Sequence, residues 1–140
     1  MENITEFKGE HRWLSNFYLV EVTLDGVTYP SVENAYQAAK SCEDRGVFVK
    51  CSPSMAKRLG RGREAGTRFS EDKLLIMLQL LRDKFSDPEL RHLLITTGNA
   101  KIVEGNNWGD TFWGVCDGRG SNHLGNLLMQ VRSEIRKRSL

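Results

Sequence analysis

A mostly helical α+β domain follows from three features of the chain. Val20, Val22 and Leu24 alternate with polar residues up to Asp25-Gly26, a favoured hairpin turn, and Val27 and Tyr29 continue beyond it. Leu74, Leu75, Leu78 and Leu81 recur at helical spacing, as do Leu124, Leu127, Leu128, Val131 and Ile135. Strands and helices do not alternate as a doubly wound parallel sheet requires. At 140 residues, 39% hydrophobic and 27% charged, the chain suits one domain spanning 1–140 with its own core.

Taken in order, residues 18–29 read as the N-terminal β-hairpin. Pro30 precedes Ser31, an N-cap for a helix running to about Ser41. Ser52-Pro53-Ser54 marks a turn before a short helix from Met55 to Leu59, and Gly60-Arg61-Gly62-Arg63 reads as a loop. Ser70 is expected to cap the leucine-bearing helix, whose leucines are assigned to the core. Ser86-Asp87-Pro88-Glu89 has the Ser-x-x-Glu form of a capping box before a helix ending near Gly98. Lys101 to Glu104 reads as extended, a Gly-, Asn- and Trp-rich loop covers 105–122, and the last helix begins near Ser121.

Composition removes several function classes. The net charge of +2 and pI near 8.5 are too mild to argue for nucleic acid by themselves. Arg132, Arg136, Lys137 and Arg138 read as a solvated helix end, where cations are favoured. Cys42, Cys51 and Cys116 are odd in number and widely spaced, so neither a disulfide framework nor a zinc site is indicated and no metal is expected. The N-terminus lacks the basic and apolar regions of a signal peptide, and no apolar run approaches the roughly 18 residues of a membrane span. These features predict a cytoplasmic protein with reduced thiols.

The segment from Tyr29 to Lys40 is the most informative. Glu33, Gln37 and Lys40 share one stripe of the predicted helix with Tyr36, where a core-facing stripe would be apolar. That stripe either faces water or lines a pocket. Glu33 and Lys40 stand two turns apart, roughly 10 Å along the axis, a span suited to flanking a sugar. The second cluster is the 106–122 loop. Trp108 and Trp113 are suited to stacking on a ring, Asp110 and Asp117 to accepting hydrogen bonds, and Gly118 and Gly120 to close backbone approach. Its plain alternative is a glycine turn stapled by core tryptophans. Arg61, Arg63 and Arg68 form a candidate phosphate-binding set, since guanidinium groups bond phosphate bidentately. His11, His92 and His123 show no spacing that suggests catalysis.

Leu14-Ser15-Asn16-Phe17-Tyr18, Tyr29 to Lys40, Met55 to Arg61, Lys101 to Glu104, and Trp113-Gly114 through Asn122, Leu124-Gly125, Leu127-Leu128-Met129 and Arg132 together resemble the NADAR family, also called YbiA-like. The resemblance spans nearly the whole chain in the family's order. It implies a compact, predominantly helical single domain that cleaves N-glycosidic bonds without a cofactor or metal. Members of the family hydrolyse ribosylamine intermediates of riboflavin biosynthesis or remove ADP-ribose from guanine bases. By that similarity Glu33 and Lys40 lie on a catalytic helix with Tyr36 beside them as a substrate contact. Trp113, Asp117 and Asn122 lie on a ligand-binding loop with Gly118, and Asn16, Gly60 and Arg61 approach ribose and phosphate.

The residues fit the implied chemistry. Lys40 is the candidate nucleophile if burial lowers its pKa, Glu33 the general acid/base, and Asp117 the group that orients ribose or activates water. A covalent Schiff-base route and a direct oxocarbenium-like route both remain open. The expected substrate is an ADP-ribosylated guanine, as nucleobase or within DNA or RNA, or a ribosylamine nucleotide. One competing reading is a phosphoribosylamino-pyrimidine hydrolase. Another is a non-catalytic ADP-ribose- or NAD-binding module.

Overall fold

The alternating residues pair as an antiparallel hairpin, β1 (Val22–Leu24) with β2 (Val27–Tyr29), in the register Val22 to Tyr29 and Leu24 to Val27. Asp25 and Gly26 take positive φ at its turn. The computed structural model describes residues 2–41, 44–63 and 66–138, without the side chains of 67 and 68. Cys42 and the guanidinium of Arg68 therefore lie outside the described residues. The remaining elements are α1 (Val32–Lys40), α2 (Pro53–Arg61), α3 (Thr67–Lys84), α4 (Pro88–Thr96), a two-residue parallel pair β3 (Gly105–Asn106) and β4 (Val115–Cys116), and α5 (His123–Arg138). The fold is thus α+β and mostly helical. The chain divides into two compact units, Asn16–Lys84 and Met1–Ser15 with Phe85–Leu140.

In the Asn16–Lys84 unit, Ser31 caps α1 by accepting from Asn34 N at 3.1 Å. Ser52 does the same for α2 from Met55 N, with Pro53 in the first turn. α2 is longer than its sequence suggests. Gly60 and Arg61 form its last turn rather than a loop, and Gly62 is the C-cap. A helical glycine is unfavourable locally, so packing must favour it, and Gly60 proves to lie against α1.

Ser70 does not cap α3, which starts at Thr67; its hydroxyl sits inside the helix and bonds back to Gly66 O at 3.5 Å. Only part of the leucine set is core. Leu78 and Leu81 are buried, whereas Leu74 and Leu75 are 39% and 55% exposed. The buried stripe runs through Met77, Leu80, Leu81 and Lys84, and Leu75 stands about 160° around the helix from Met77. Thr23 N donates to Asp83 Oδ2 at 2.7 Å, tying β1 to the end of α3.

In the other unit, Asp87 rather than Ser86 caps α4, accepting from Leu90 N at 3.0 Å. Pro88 at the first helical position places Asp87, not Ser86, at the cap. Ile102 bridges Ile4 in parallel, so the extended segment gains a partner from the N-terminus. The basic end of α5 is not simply solvated. Arg132 is buried and donates to Thr97 Oγ1 at 2.8 Å, while Arg136 donates to Gly98 O. Both cations thus meet the C-terminal end of α4, where the helix dipole favours positive charge. Burial, and then the neighbouring Arg136 charge, pull the Arg132 pKa below its ordinary value. No helix among the described residues is long and apolar enough to cross a membrane.

Candidate active site

The polar stripe of α1 is buried rather than solvated. Glu33 and Gln37 are 8% and 9% exposed, and Tyr36 and Lys40 are half-buried. Glu33 occupies the first turn of α1, where the helix dipole favours a carboxylate, and its N–H donates to Asn16 O at 3.1 Å. Gln37 Nε2 donates to Glu33 Oε1 at 2.9 Å. Lys40 Nζ donates to Gly60 O at 3.0 Å. A Cβ on Gly60 would overlap the Gln37 amide, so α2 approaches α1 this closely only because residue 60 has no side chain. Asn16, Glu33, Gln37, Gly60 and Lys40 thus form one connected set, and Asn16 Nδ2 extends it to Met77 Sδ at 3.7 Å. Two buried acceptors in this set, Asn16 Oδ1 and Gln37 Oε1, have no hydrogen-bond partner among the described residues.

Tyr36 meets Phe69 edge-to-face at 5.1 Å. Past the C-terminal end of α1 a cavity of about 410 Å³ opens beside Lys40, walled by Leu24, Phe69, Ile76, Arg45, Asp72 and Gln79. That volume is enough for a nucleobase or a ribose. The arginines separate in role. Arg61 is exposed at the end of α2. Arg63 is committed to local structure: it donates to Ser41 Oγ at 2.8 Å and stacks on Phe48 at 5.1 Å.

Sequence patterning overlooked Lys84. Its side chain is fully buried, with the ammonium 5.8 Å from the Tyr18 ring centroid, and desolvation lowers its pKa to about 7. The signal was present: Lys84 falls three residues after Leu81 and seven after Met77, a core position of the α3 stripe. A lysine there breaks the pattern that defines the helix.

The loop residues lie in the other unit. Asp110 Oδ1 accepts from the N–H groups of Phe112 and Trp113 at 3.1 and 2.9 Å, so its carboxylate shapes the turn that presents Trp113. Trp113 is half-buried against Phe112 at 4.8 Å, whereas Trp108 is 53% exposed. Asp117 and Gly118 are exposed at the tip of a two-residue turn, closed by Cys116 and Arg119 exchanging backbone bonds at 2.8 and 3.0 Å. Both take positive φ, the pattern an Asp-Gly turn adopts. Glu104 and Asn106 were not singled out from sequence. Asn106 Nδ2 donates to Glu104 Oε2 and to Asp110 O, each at 2.9 Å, and the Glu104 carboxylate occupies the space a Cβ on Gly114 would take.

Asn122 is buried, and both ends of its amide hold backbone. Oδ1 accepts from Glu104 N at 2.9 Å and Nδ2 donates to Ile102 O at 3.0 Å. With φ at 53° it also sits in the left-handed region that Asn tolerates. Asn122→Ala should destabilise the protein by about 2–4 kcal/mol, through two lost buried bonds and a strained backbone. Urea unfolding measures this, and a change under about 0.5 kcal/mol would refute the clamp. Among the described residues no three His, Cys, Asp or Glu side chains gather as a metal site.

The profile of the NADAR domain matches residues 5–136. Over 128 residues the chain is 37% identical to the N-glycosidase YbiA of Escherichia coli (strain K12), covering 86% of this chain and 79% of that protein. A riboflavin biosynthesis protein of Vibrio vulnificus is 34% identical over 134 residues, 91% of this chain and 36% of that longer one. The NMR structure of the E. coli protein YbiA superposes with a TM-score of 0.87 at 33% identity, over 99% of this chain and 89% of that one.

Proposed function

Because the chain belongs to the NADAR domain family, we propose that it is an N-glycosidase hydrolysing the bond between ribose C1′ and an exocyclic amine, with ADP-ribosylated guanine as substrate. The observation that carries this reading lies within the Asn16–Lys84 unit. A buried, hydrogen-bonded carboxylate, Glu33, shares that unit with a buried amine, Lys84, whose pKa lies near 7. Groups with perturbed ionisation cluster at functional sites, which supports a chemical role for this region. Exposed Arg61 is suited to a phosphate of the substrate.

In the reaction we propose, Glu33 protonates the ribose ring oxygen, and the glycosylamine opens to an iminium at C1′. A neutral lysine amine adds to C1′, and the C1′–N bond to the base breaks. The base amine leaves carrying the transferred proton, and a lysine iminium remains. Water adds to that iminium, its surplus proton returning to the Glu33 carboxylate, and collapse of the carbinolamine returns the lysine amine and free ribose aldehyde, which closes to its ring. The sum is one water consumed and one C–N bond replaced by C–O. Two lysines are candidates for that amine: Lys40, half-buried on the wall of the cavity and bonded to Gly60 O, and Lys84, fully buried and reached by substrate only after a local opening.

The test is release of free ADP-ribose from guanine-linked ADP-ribose, followed by chromatography, with borohydride added to trap an imine. Release with a reduced adduct on Lys40 or Lys84 is expected. The labelled lysine identifies the amine, and release with no adduct selects the direct route. Binding without release overturns the enzyme reading in favour of a non-catalytic ADP-ribose-binding module. A phosphoribosylamino-pyrimidine is the second substrate to assay, the Vibrio vulnificus relative being named a riboflavin biosynthesis protein.

A further inference from the structure

Gln37 lies one turn after Glu33 on the buried stripe, and its amide orientation needs a reason. Nε2 donates to Glu33 Oε1, while Oε1 is buried with no hydrogen-bond partner among the described residues. An amide free to choose would satisfy its oxygen. The opposite orientation would set that oxygen against the Glu33 carboxylate, acceptor against acceptor, so the unmet oxygen accompanies the bond to Glu33. The amide oxygen rests where a Cβ on Gly60 would be, and Lys40 Nζ holds Gly60 by its carbonyl at 3.0 Å. Lys40, Gly60, Gln37 and Glu33 therefore form a continuous line of support from α2 to the carboxylate.

The geometry points to Gln37 as the positioning residue of Glu33, its amide seated on Gly60 and holding the carboxyl group in a fixed orientation. This rests on the reading of Glu33 as the acid/base group. A donor to the ionised form lowers a carboxyl pKa, so losing the donor must raise it. Gly60→Ala should reproduce the effect without touching Gln37, because the new methyl displaces the amide.

The experiment is a carbon-13 NMR titration of the Glu33 side-chain carboxyl, assigned by its disappearance in Glu33→Gln. It is run on the wild type, Gln37→Met, Gln37→Asn and Gly60→Ala, with each variant's amide fingerprint confirming the fold. The expected result is an upward shift of about one pH unit in all three variants, since one charge-assisted bond is lost. In parallel the acid limb of the kcat/KM profile for base release should move up by the same amount. A Glu33 titration unchanged in the folded variants overturns the assignment, since a merely structural glutamine would alter stability and leave that titration in place. If the wild type releases no base while the NMR shift appears, the glycosidase reading fails and the positioning role stands.

Discussion

Raising the pH from 7 to 9 should stabilise the folded protein by about 2 kcal/mol, and Lys84→Met should abolish that gain. Burial lowers the Lys84 pKa from 10.5 to about 7. Below pH 7 both folded and unfolded chains carry the proton, so the cost of holding a buried ammonium is constant. Between 7 and 10.5 the unfolded chain keeps a proton that the folded chain has released, and unfolding stability climbs with pH toward a limiting slope of about 1.4 kcal/mol per unit. Above that range neither state is protonated and the gain is complete, on the order of 5 kcal/mol.

Two other groups act in the opposite sense. Burial raises the pKa of Cys51 above 9.0 and that of Tyr29 above 10.0, so the folded chain retains protons that the unfolded one loses, and stability falls above those values. The window from 7 to 9 therefore isolates the lysine. Urea unfolding at pH 7, 8 and 9 measures it. Equal slopes for wild type and Lys84→Met would show that the amine is not held neutral.

Glu33→Gln should lower kcat/KM for base release by about 10²- to 10⁴-fold, the usual contribution of a positioned acid or base. The substitution preserves size and a hydrogen-bonding oxygen, and the Glu33 N–H still reaches Asn16 O. Its stability should therefore change by only about 1 kcal/mol. Initial rates at substrate well below KM, paired with urea unfolding, separate the two effects. A variant that keeps more than about a tenth of the activity would remove Glu33 from the chemistry. So would a loss of activity that merely follows a loss of fold.

Much of this site was legible before folding. The stripe of Glu33, Gln37 and Lys40 was conspicuous because it occupies positions where a core helix places apolar groups. Lys84 carried the same kind of signal but was hidden by the leucines around it, since a dominant apolar pattern makes one exception easy to miss. Gly60 was assigned to a loop because glycine is a poor helix former. Its value to the helix lies in the close approach of another helix, which no local propensity records. Asp117 and Asn122 differ again: one is an exposed turn residue, and the other spends its amide on the backbone of 102 to 104.

The sequence by itself determined the hairpin, through alternation and the Asp25-Gly26 turn, and the start of α1, through Ser31. Its motif order also determined the family. These are local signals, written in neighbouring residues and in the period of the backbone. Tertiary structure alone decided that the polar stripe is buried, that Lys84 gives up its proton near pH 7, and that Arg132 and Arg136 meet the end of α4. Burial and desolvation depend on what distant segments pack against a side chain. That is why the surroundings of these groups became readable only once the chain was folded.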